Sequence, residues 1–316
     1  MTVLELPAAT ADPVEHADWI ELEAFQSDDG ICSYTEFASK IHASGTTDAM
    51  TAPEDDENPF DLGGEQSGQV AGNAWTEIER RHTACGGDDG YYPFELSGGA
   101  VTLLDGWKSS PYVFQMLLAK FGHHAGPSGS YGDRLFEELS TSAGKEYFGG
   151  AANLVCAEKF GFPRKKGNGF VAALSELCKQ MNAGTVRPDA GRINDQKDSH
   201  LDVVIWRPFE DRRQSQLIGF GQCATGKNWH KGKLTELQPS NFREKWLLDG
   251  FYPEPIRLFF LPRTISDNDW RITAIEGGII FDRCRISQLV GEPDKKVALK
   301  YSKWTRHVAR SRLKKK

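Results

Sequence analysis

The segment from residue 132 to residue 149, GDRLFEELSTSAGKEYFG, repeats apolar side chains at the spacing of one helix face. This periodicity predicts an amphipathic α-helix. Residues 169–184 predict a second helix, which ends at a glycine suited to a C-cap. The apolar positions of the first helix are Leu135, Phe136, Leu139, Ala143 and Tyr147.

Short runs of β-branched and aromatic residues follow these two helices. Residues 201–209 (LDVVIWRPF) and 217–225 (LIGFGQCAT) predict two paired strands joined by a polar turn. We expect a helix within 235–251, a buried strand at 256–263, and further strand and turn at 270–290. The order helix, helix, strand, strand, helix, strand predicts an α/β fold with a mixed central sheet flanked by helices.

The first 125 residues predict a separate α+β domain. We expect two amphipathic segments at 17–41, extended structure with a glycine turn at 91–104, and a buried helix at 111–122. Residues 42–73 are rich in Gly, Ser, Asp, Glu and Pro. That composition predicts a flexible surface loop.

Charge is divided unevenly along the chain, although the net charge is only −6. Residues 1–125 contain 22 acidic and 5 basic residues, whereas residues 126–316 contain 22 acidic and 33 basic residues. We therefore predict an acidic N-terminal domain (1–125), a second domain (126–290) and a basic C-terminal tail (291–316).

The basic tail has a composition that occurs in nucleic-acid-binding segments. Residues 295–316 contain ten Lys and Arg residues, with Tyr301 and Trp304 among them. Cations can neutralise phosphates, and aromatic rings can stack on bases. A merely solvated terminus is the alternative interpretation.

The sequence predicts neither a membrane-spanning helix nor a secretory signal. No run of about 18 or more apolar residues is present, and the N-terminus lacks a basic region followed by an apolar core. Six cysteines are present without a CxxC pair, which fits the reducing cytoplasm.

Four polar residues of the second domain provide the groups that phosphodiester chemistry needs. Glu137 lies beside the apolar stripe of the first helix, and Asp202 precedes the first strong strand. Gln222 lies in the next strand, and Lys227 follows it. Carboxylate and amide oxygens bind Mg²⁺, and a lysine stabilises charge on phosphate. Each residue alone also has an inert interpretation, as a solvated helix acid, a structural ion pair, a buried amide bonded to backbone, or a loop lysine.

In their order along the chain, these segments resemble the PD-(D/E)xK nuclease superfamily. They resemble in particular its Mrr-like restriction endonuclease branch, in which Gln often replaces the third-motif Glu. The resemblance covers about residues 130–265. The matching residues are Gly132 with Phe136-Glu137-Glu138-Leu139, then Leu201-Asp202-Val203-Val204, and then Gln222-Cys223-Ala224.

The resemblance implies a restriction-endonuclease-like fold and a Mg²⁺-dependent DNA endonuclease, with Mn²⁺ as a substitute metal, active in bacterial restriction or anti-phage defence. It implies that Asp202, Gln222, Glu137 and the backbone carbonyl of Cys223 hold the metal. RNA is the alternative polymer. From the charge division, and not from the resemblance, we expect the acidic N-terminal domain either to dock on the basic face and hold the nuclease in check or to contact a protein partner. The oligomeric state stays open.

The third motif departs from the family pattern, because Ala224 stands where the motif has lysine. Lys227 is expected to supply the missing ammonium group, since Gly226 permits the chain to turn back, and Lys231 and Lys233 are the alternative lysines. The same departure supports an alternative function, in which a catalytically inactive nuclease-fold module binds nucleic acid or scaffolds a defence complex.

Overall fold

The structure is a computed structural model of the 316-residue chain, and it describes residues 4–49, 59–150, 154–161, 169–192, 199–291 and 295–313. The helices of these residues are α1 (Pro13–Gln26), α2 (Tyr34–Ala49), α3 (Pro59–Ala84), α4 (Pro111–Phe121), α5 (Gly132–Tyr147), α6 (Phe170–Met181), α7 (Lys233–Glu236), α8 (Pro239–Trp246), α9 (Asp267–Gly277), α10 (Arg283–Val290) and α11 (Lys295–Val308). The strands are β1 (Ile31–Ser33), β2 (Phe94–Ser97), β3 (Ala100–Leu103), β4 (Cys156–Lys159), β5 (Thr185–Val186), β6 (Val203–Arg207), β7 (Leu217–Cys223), β8 (Leu247–Asp249), β9 (Ile256–Phe260) and β10 (Ile279–Phe281).

A mixed sheet of five strands forms the centre of the second half of the chain. Its order is β10-β9-β7-β6-β4. Strands β4, β6 and β7 pair antiparallel, whereas β9 is parallel to β7 and β10 is parallel to β9. The α/β class with a mixed sheet flanked by helices is therefore confirmed.

Both faces of this sheet are covered, as the continuous apolar run of β6 requires. Val203 and Ile205 belong to one hydrophobic cluster, which we call the first core and which includes the apolar face of α5. Val204 and Trp206 belong to another cluster, the second core, together with buried residues of α6 and α8. This alternation follows the two-residue period of a strand.

The N-terminal residues fold around a three-stranded sheet of order β1-β3-β2. The first core extends through both halves of the chain and contains Phe25 and Phe114 as well as Phe136 and Phe260. The domain boundary at residue 125 stays a prediction, because a shared core does not decide where each part ends.

Three segments differ from the predicted elements. Residues 42–49 and 59–73, predicted as loop, lie in α2 and α3, while residues 50–58 lie outside the described residues. Residues 270–290, predicted as strand and turn, are mostly the helices α9 and α10 around the short strand β10. Helical hydrogen bonds and packing outweigh the turn-forming composition of residues 42–49 and 59–73. They also outweigh the β-branched residues of 270–290.

The basic tail is also helical. It forms α11, which is followed by a π-helical turn at Ala309–Leu313. Tyr301, Trp304 and Val308 are buried in the first core. The prediction of base-stacking aromatic residues is therefore wrong for Tyr301 and Trp304, which pack against Phe114 instead. Residues 314–316 lie outside the described residues.

Within the described part of the chain, no helix is both long and apolar enough to cross a membrane.

Candidate functional site

Helix α5 holds Glu137 against the central sheet. Phe136, Leu139 and Ala143 are fully buried in the first core and fix the rotation of the helix. Gly144 permits close packing, because a Cβ atom there would collide with Ile205 of β6. The Glu137 side chain is only 12% exposed. The helix therefore directs this carboxylate toward the sheet instead of toward bulk solvent.

Asp202 is fixed at the start of β6 by backbone hydrogen bonds. Its N–H donates to the carbonyl of Gly221 at 2.9 Å, and its carbonyl accepts from the N–H groups of Phe160 and Gly161 at 2.7 and 3.1 Å. The Oδ2 atom of Asp202 accepts a hydrogen bond from the backbone N–H of Cys223 at 2.7 Å. These contacts hold Asp202 between the ends of β4 and β7.

The carboxylates of Glu137 and Asp202 converge on one small space beside Gly161. A Cβ atom at Gly161 would lie 3.1 Å from Oδ1 of Asp202 and 3.2 Å from Oε2 of Glu137. Because the glycine has no such atom, its own side chain does not fill the space between these two oxygens, which come from different elements. The two predicted acidic residues are thus brought together.

Lys159 completes this cluster, although no sequence motif marks it as a site residue. Its Nζ lies 3.1 Å from Oε2 of Glu137, and both side chains are nearly buried. Lys159 is the last residue of β4, paired with Val203, the residue after Asp202. The available signal was a lysine ending a short apolar run, LVCAEKF, but no element had been assigned to that run.

The Cys223 side chain lies near the same two carboxylates and is unreactive. Burial raises the pKa of its thiol well above the ordinary value, and the carboxylates of Asp202 and Glu137 raise this pKa further. The thiol is therefore protonated and a poor nucleophile. The contribution of Cys223 that the structure describes is the backbone N–H that orients Asp202.

Gln222 occupies a different position from the one expected. Side chains alternate along β7, so Gln222 and Cys223 point to opposite faces. The Nε2 group of Gln222 donates to Oε2 of Glu236 at 2.9 Å, and His200 Nδ1 lies 3.2 Å from the same oxygen. The Gln222 side chain thus contacts Glu236, and its predicted place beside Glu137 and Asp202 is not supported.

The predicted place of Lys227 beside the two carboxylates is not supported either, since neither Glu137 nor Asp202 lines the cleft that Lys227 lines. Lys227 is exposed, and it lines a separate cleft of about 580 Å³ with Asp18, Trp19 and Arg263. Ala224, at the lysine position of the motif, is buried in a small cluster of apolar residues. Lys159 therefore replaces Lys227 as the lysine that contacts a carboxylate of the site.

The donor set fits a hard divalent cation that keeps part of its water shell. Mg²⁺ is usually held by one or two carboxylates, with waters and substrate oxygens as its other ligands. Glu137 and Asp202 provide two such carboxylates around the space beside Gly161. The described residues contain no group of three or more His, Cys, Asp and Glu side chains suited to a metal, so an all-protein cage is not formed by them.

Comparisons of the chain with protein-family models, with curated proteins and with solved structures found no match. The feature of the structure that bears on function is the arrangement of Glu137, Lys159, Gly161, Asp202 and Cys223.

Proposed function

We propose that this protein is a metal-dependent endonuclease of the restriction-endonuclease-like class that hydrolyses DNA phosphodiester bonds. The observation that carries the proposal is the convergence of Glu137 and Asp202 beside Gly161. These two acids come from the helix and strand motifs of the PD-(D/E)xK resemblance, and the mixed sheet flanked by helices agrees with the fold that the resemblance implies.

In this proposal, Glu137 and Asp202 hold Mg²⁺, or Mn²⁺ in its place. The chemistry that such an ion supplies is charge neutralisation on the phosphate and a lowered pKa of a bound water. The hydrogen bond from the Cys223 N–H keeps the Asp202 carboxylate in one orientation. Gly161 keeps the space between the carboxylates open.

Lys159 is the proposed electrostatic stabiliser. Its ammonium group lies within the cluster, where it is shielded from solvent by burial. A preorganised cation next to a reacting phosphate stabilises the charge that develops in the transition state. The ion pair with Glu137 orients the flexible lysine side chain before substrate binds. This role replaces the one expected for Lys227.

A non-cleaving nucleic-acid-binding module is the second candidate. Two features of the third motif support it. The lysine position is occupied by Ala224, which is buried in an apolar cluster, and the Gln222 side chain contacts Glu236 instead of the two carboxylates. In that case the Glu137–Lys159 pair would be a structural ion pair, and no divalent metal would be needed.

A plasmid-nicking assay with the full chain separates the two candidates. We expect Mg²⁺-dependent conversion of supercoiled to nicked or linear DNA, abolished by EDTA. Glu137→Gln should lose this activity, whereas Glu138→Gln on the same helix should retain it. A wild-type protein that binds DNA without cutting in Mg²⁺ or Mn²⁺ would favour the non-cleaving module.

A further inference from the structure

Helix α11 and its terminal turn carry a one-sided distribution of charge. The described residues 295–313 include no acidic side chain. One face is buried in the first core through Tyr301, Trp304 and Val308. Because this face fixes the rotation of the helix, the opposite face has a defined position on the protein surface.

The exposed face presents cations beside a cleft. Lys303, Arg306, His307 and Arg310 are exposed and line a cleft of about 600 Å³ with Pro127 and Ser311. Lys303, Arg306 and His307 follow helical spacing, and Arg310 follows in the terminal π-helical turn. The distance along the helix from residue 303 to residue 310 is about 10 Å, at roughly 1.5 Å per residue.

The cations on this face are not neutralised by the described part of the protein. No described carboxylate lies within ion-pair distance of Lys303, Arg306 or Arg310. Lys300, one turn earlier, differs because its Nζ lies 2.8 Å from Oε2 of Glu138. Three adjacent cations without a counter-charge favour an anionic partner with several charges in a row.

Helix α11, which carries this face, packs directly against the helix that supplies Glu137. Helix α11 packs against α5, and the Lys300–Glu138 ion pair joins the two helices at the residue next to Glu137. A polymer bound to the cationic face of α11 would therefore contact the neighbour of α5, the helix that supplies Glu137.

We propose that Lys303, Arg306 and Arg310 bind consecutive phosphates of duplex DNA and hold it beside the Glu137–Asp202 site. The choice of DNA as the polymer rests on the proposed nuclease function. About 10 Å of helix matches the axial rise of roughly three phosphates on one strand, at about 3.4 Å each. Contacts of this kind position the duplex without reading its sequence.

The test is a salt titration of binding to a duplex oligonucleotide of random sequence. The triple variant Lys303→Gln, Arg306→Gln, Arg310→Gln is compared with a matched control, Lys179→Gln, Arg192→Gln, Arg213→Gln. Both triple variants replace exposed cations and change the net charge equally. All proteins also carry Asp202→Asn, so that DNA stays intact.

The proposal predicts a specific loss in the α11 triple variant. Each lost phosphate contact should flatten the slope of log binding constant against log salt by about 0.9, so the expected change is roughly two to three units. Affinity near physiological salt should fall about ten- to a hundredfold for every DNA sequence. The control should stay within about twofold of the parent.

Equal losses in both triple variants, or an unchanged slope in the α11 variant, would overturn the proposal. Binding of the α11 face to anionic phospholipid vesicles or to duplex RNA, with DNA binding unaffected, would also overturn it. Failure of the nuclease proposal gives a different pattern, in which the slope changes as expected but the wild-type protein does not cut in Mg²⁺.

Discussion

At the scale of single residues, glycine at position 161 leaves the space between the Glu137 and Asp202 carboxylates without a side-chain atom of its own. Gly161→Ala would place a methyl group 3.1 Å from Oδ1 of Asp202 and 3.2 Å from Oε2 of Glu137. We expect this variant to lose Mg²⁺-dependent cleavage while its thermal unfolding changes little. Gly169→Ala is the control, because a Cβ there meets no atom within 4 Å. Full activity of Gly161→Ala would show that the space holds no ligand.

The lysine of the site gives a second prediction at this scale. Lys159→Gln should reduce the cleavage rate by about a hundredfold or more, the effect of removing one electrostatic stabiliser. Lys227→Gln should change the rate less than about twofold, because Lys227 lines the other cleft. Single-turnover rates at saturating DNA separate this effect from binding. The reverse ranking of the two variants would restore Lys227 and contradict the assignment of Lys159.

The sequence could predict only the part of the site that motifs encode. Glu137 and Asp202 come from recognisable helix and strand patterns, and they converge in the structure. Lys159 and Gly161 could not be selected, because their proximity depends on β4 pairing with β6, a contact between distant segments. Gln222 was assigned to the site from its motif position, but strand alternation turns its side chain toward Glu236.

At the scale of secondary-structure elements, buried ion pairs join helices from the two ends of the chain. Arg81 of α3 and Arg283 of α10 both donate to Asp18 of α1, each at 2.8 Å. Glu21 of α1 lies 3.0 Å from Arg81. Both arginine side chains are fully buried. The arrangement links α1, α3 and α10 into one charged cluster.

This cluster makes stability depend on pH. Burial raises the pKa of Asp18, but the cations Arg283 and Arg81 outweigh burial and hold that pKa well below its usual range. A depressed pKa in the folded state contributes stability above the unfolded-state value, near pH 4, and this contribution is lost as pH falls further. We expect the unfolding free energy of the wild type to decline steeply below about pH 4.

Asp18→Asn tests this prediction by urea unfolding at neutral and acidic pH. The variant should be less stable than the wild type at pH 7 and should lose less stability on acidification. Asp28→Asn, at an exposed position, should keep the wild-type dependence. If the unfolding free energy of Asp18→Asn depends on pH as that of the wild type does, other groups are responsible for the acid sensitivity.

Helix α11 gives a further prediction at this scale. Trp304 is fully buried and packs edge-to-face on Phe114, with 5.2 Å between ring centroids. Trp304→Ala should lower the unfolding free energy by about 3–5 kcal/mol, as other large-to-small core changes do. Leu299→Ala on the same helix should change it by less than about 0.5 kcal/mol, because Leu299 is 65% exposed. Equal stability of both variants, measured by urea unfolding, would contradict the packing of α11.

Elements with strong periodicity were predicted well, whereas elements set by tertiary packing were not. Helices α5 and α6 and strands β6, β7 and β9 lie where their apolar patterns place them. Strand β4 has only four residues, each partly exposed, so its sequence has no clear alternation. The sequence predicts a basic tail with interleaved aromatic residues instead of helix α11, because the high charge hides the apolar stripe of Tyr301, Trp304 and Val308.

At the scale of the whole molecule, the division of charge does not correspond to separate cores. The acidic first 125 residues and the basic remainder share the first core, in which Phe25 and Phe114 belong to the same cluster as Phe136 and Trp304. Removal of residues 1–125 would therefore expose apolar surface of α5 and α11. The role of the acidic part is better tested by substitutions in the full chain than by deletion.

The uneven distribution of charge nevertheless bears on how the protein could bind DNA. A net charge of −6 would repel DNA on average. The cationic face of α11 is a local exception to this average and attracts anionic groups. DNA affinity should therefore depend more on where the cations lie than on the net charge of the protein. The two triple variants test this, because they change the net charge equally at different positions.

If a divalent ion held by Glu137 and Asp202 supports phosphodiester cleavage, Asp202→Asn should abolish activity in a Mg²⁺-dependent plasmid-cleavage assay. Asparagine keeps an oxygen that can accept the hydrogen bond from the Cys223 N–H, so the fold should be preserved, with unchanged circular dichroism and thermal unfolding. The proposed metal site predicts Mg²⁺-dependent cleavage by the wild type and none by the folded variant at any Mg²⁺ concentration. Wild-type cleavage rates in folded Asp202→Asn would contradict it.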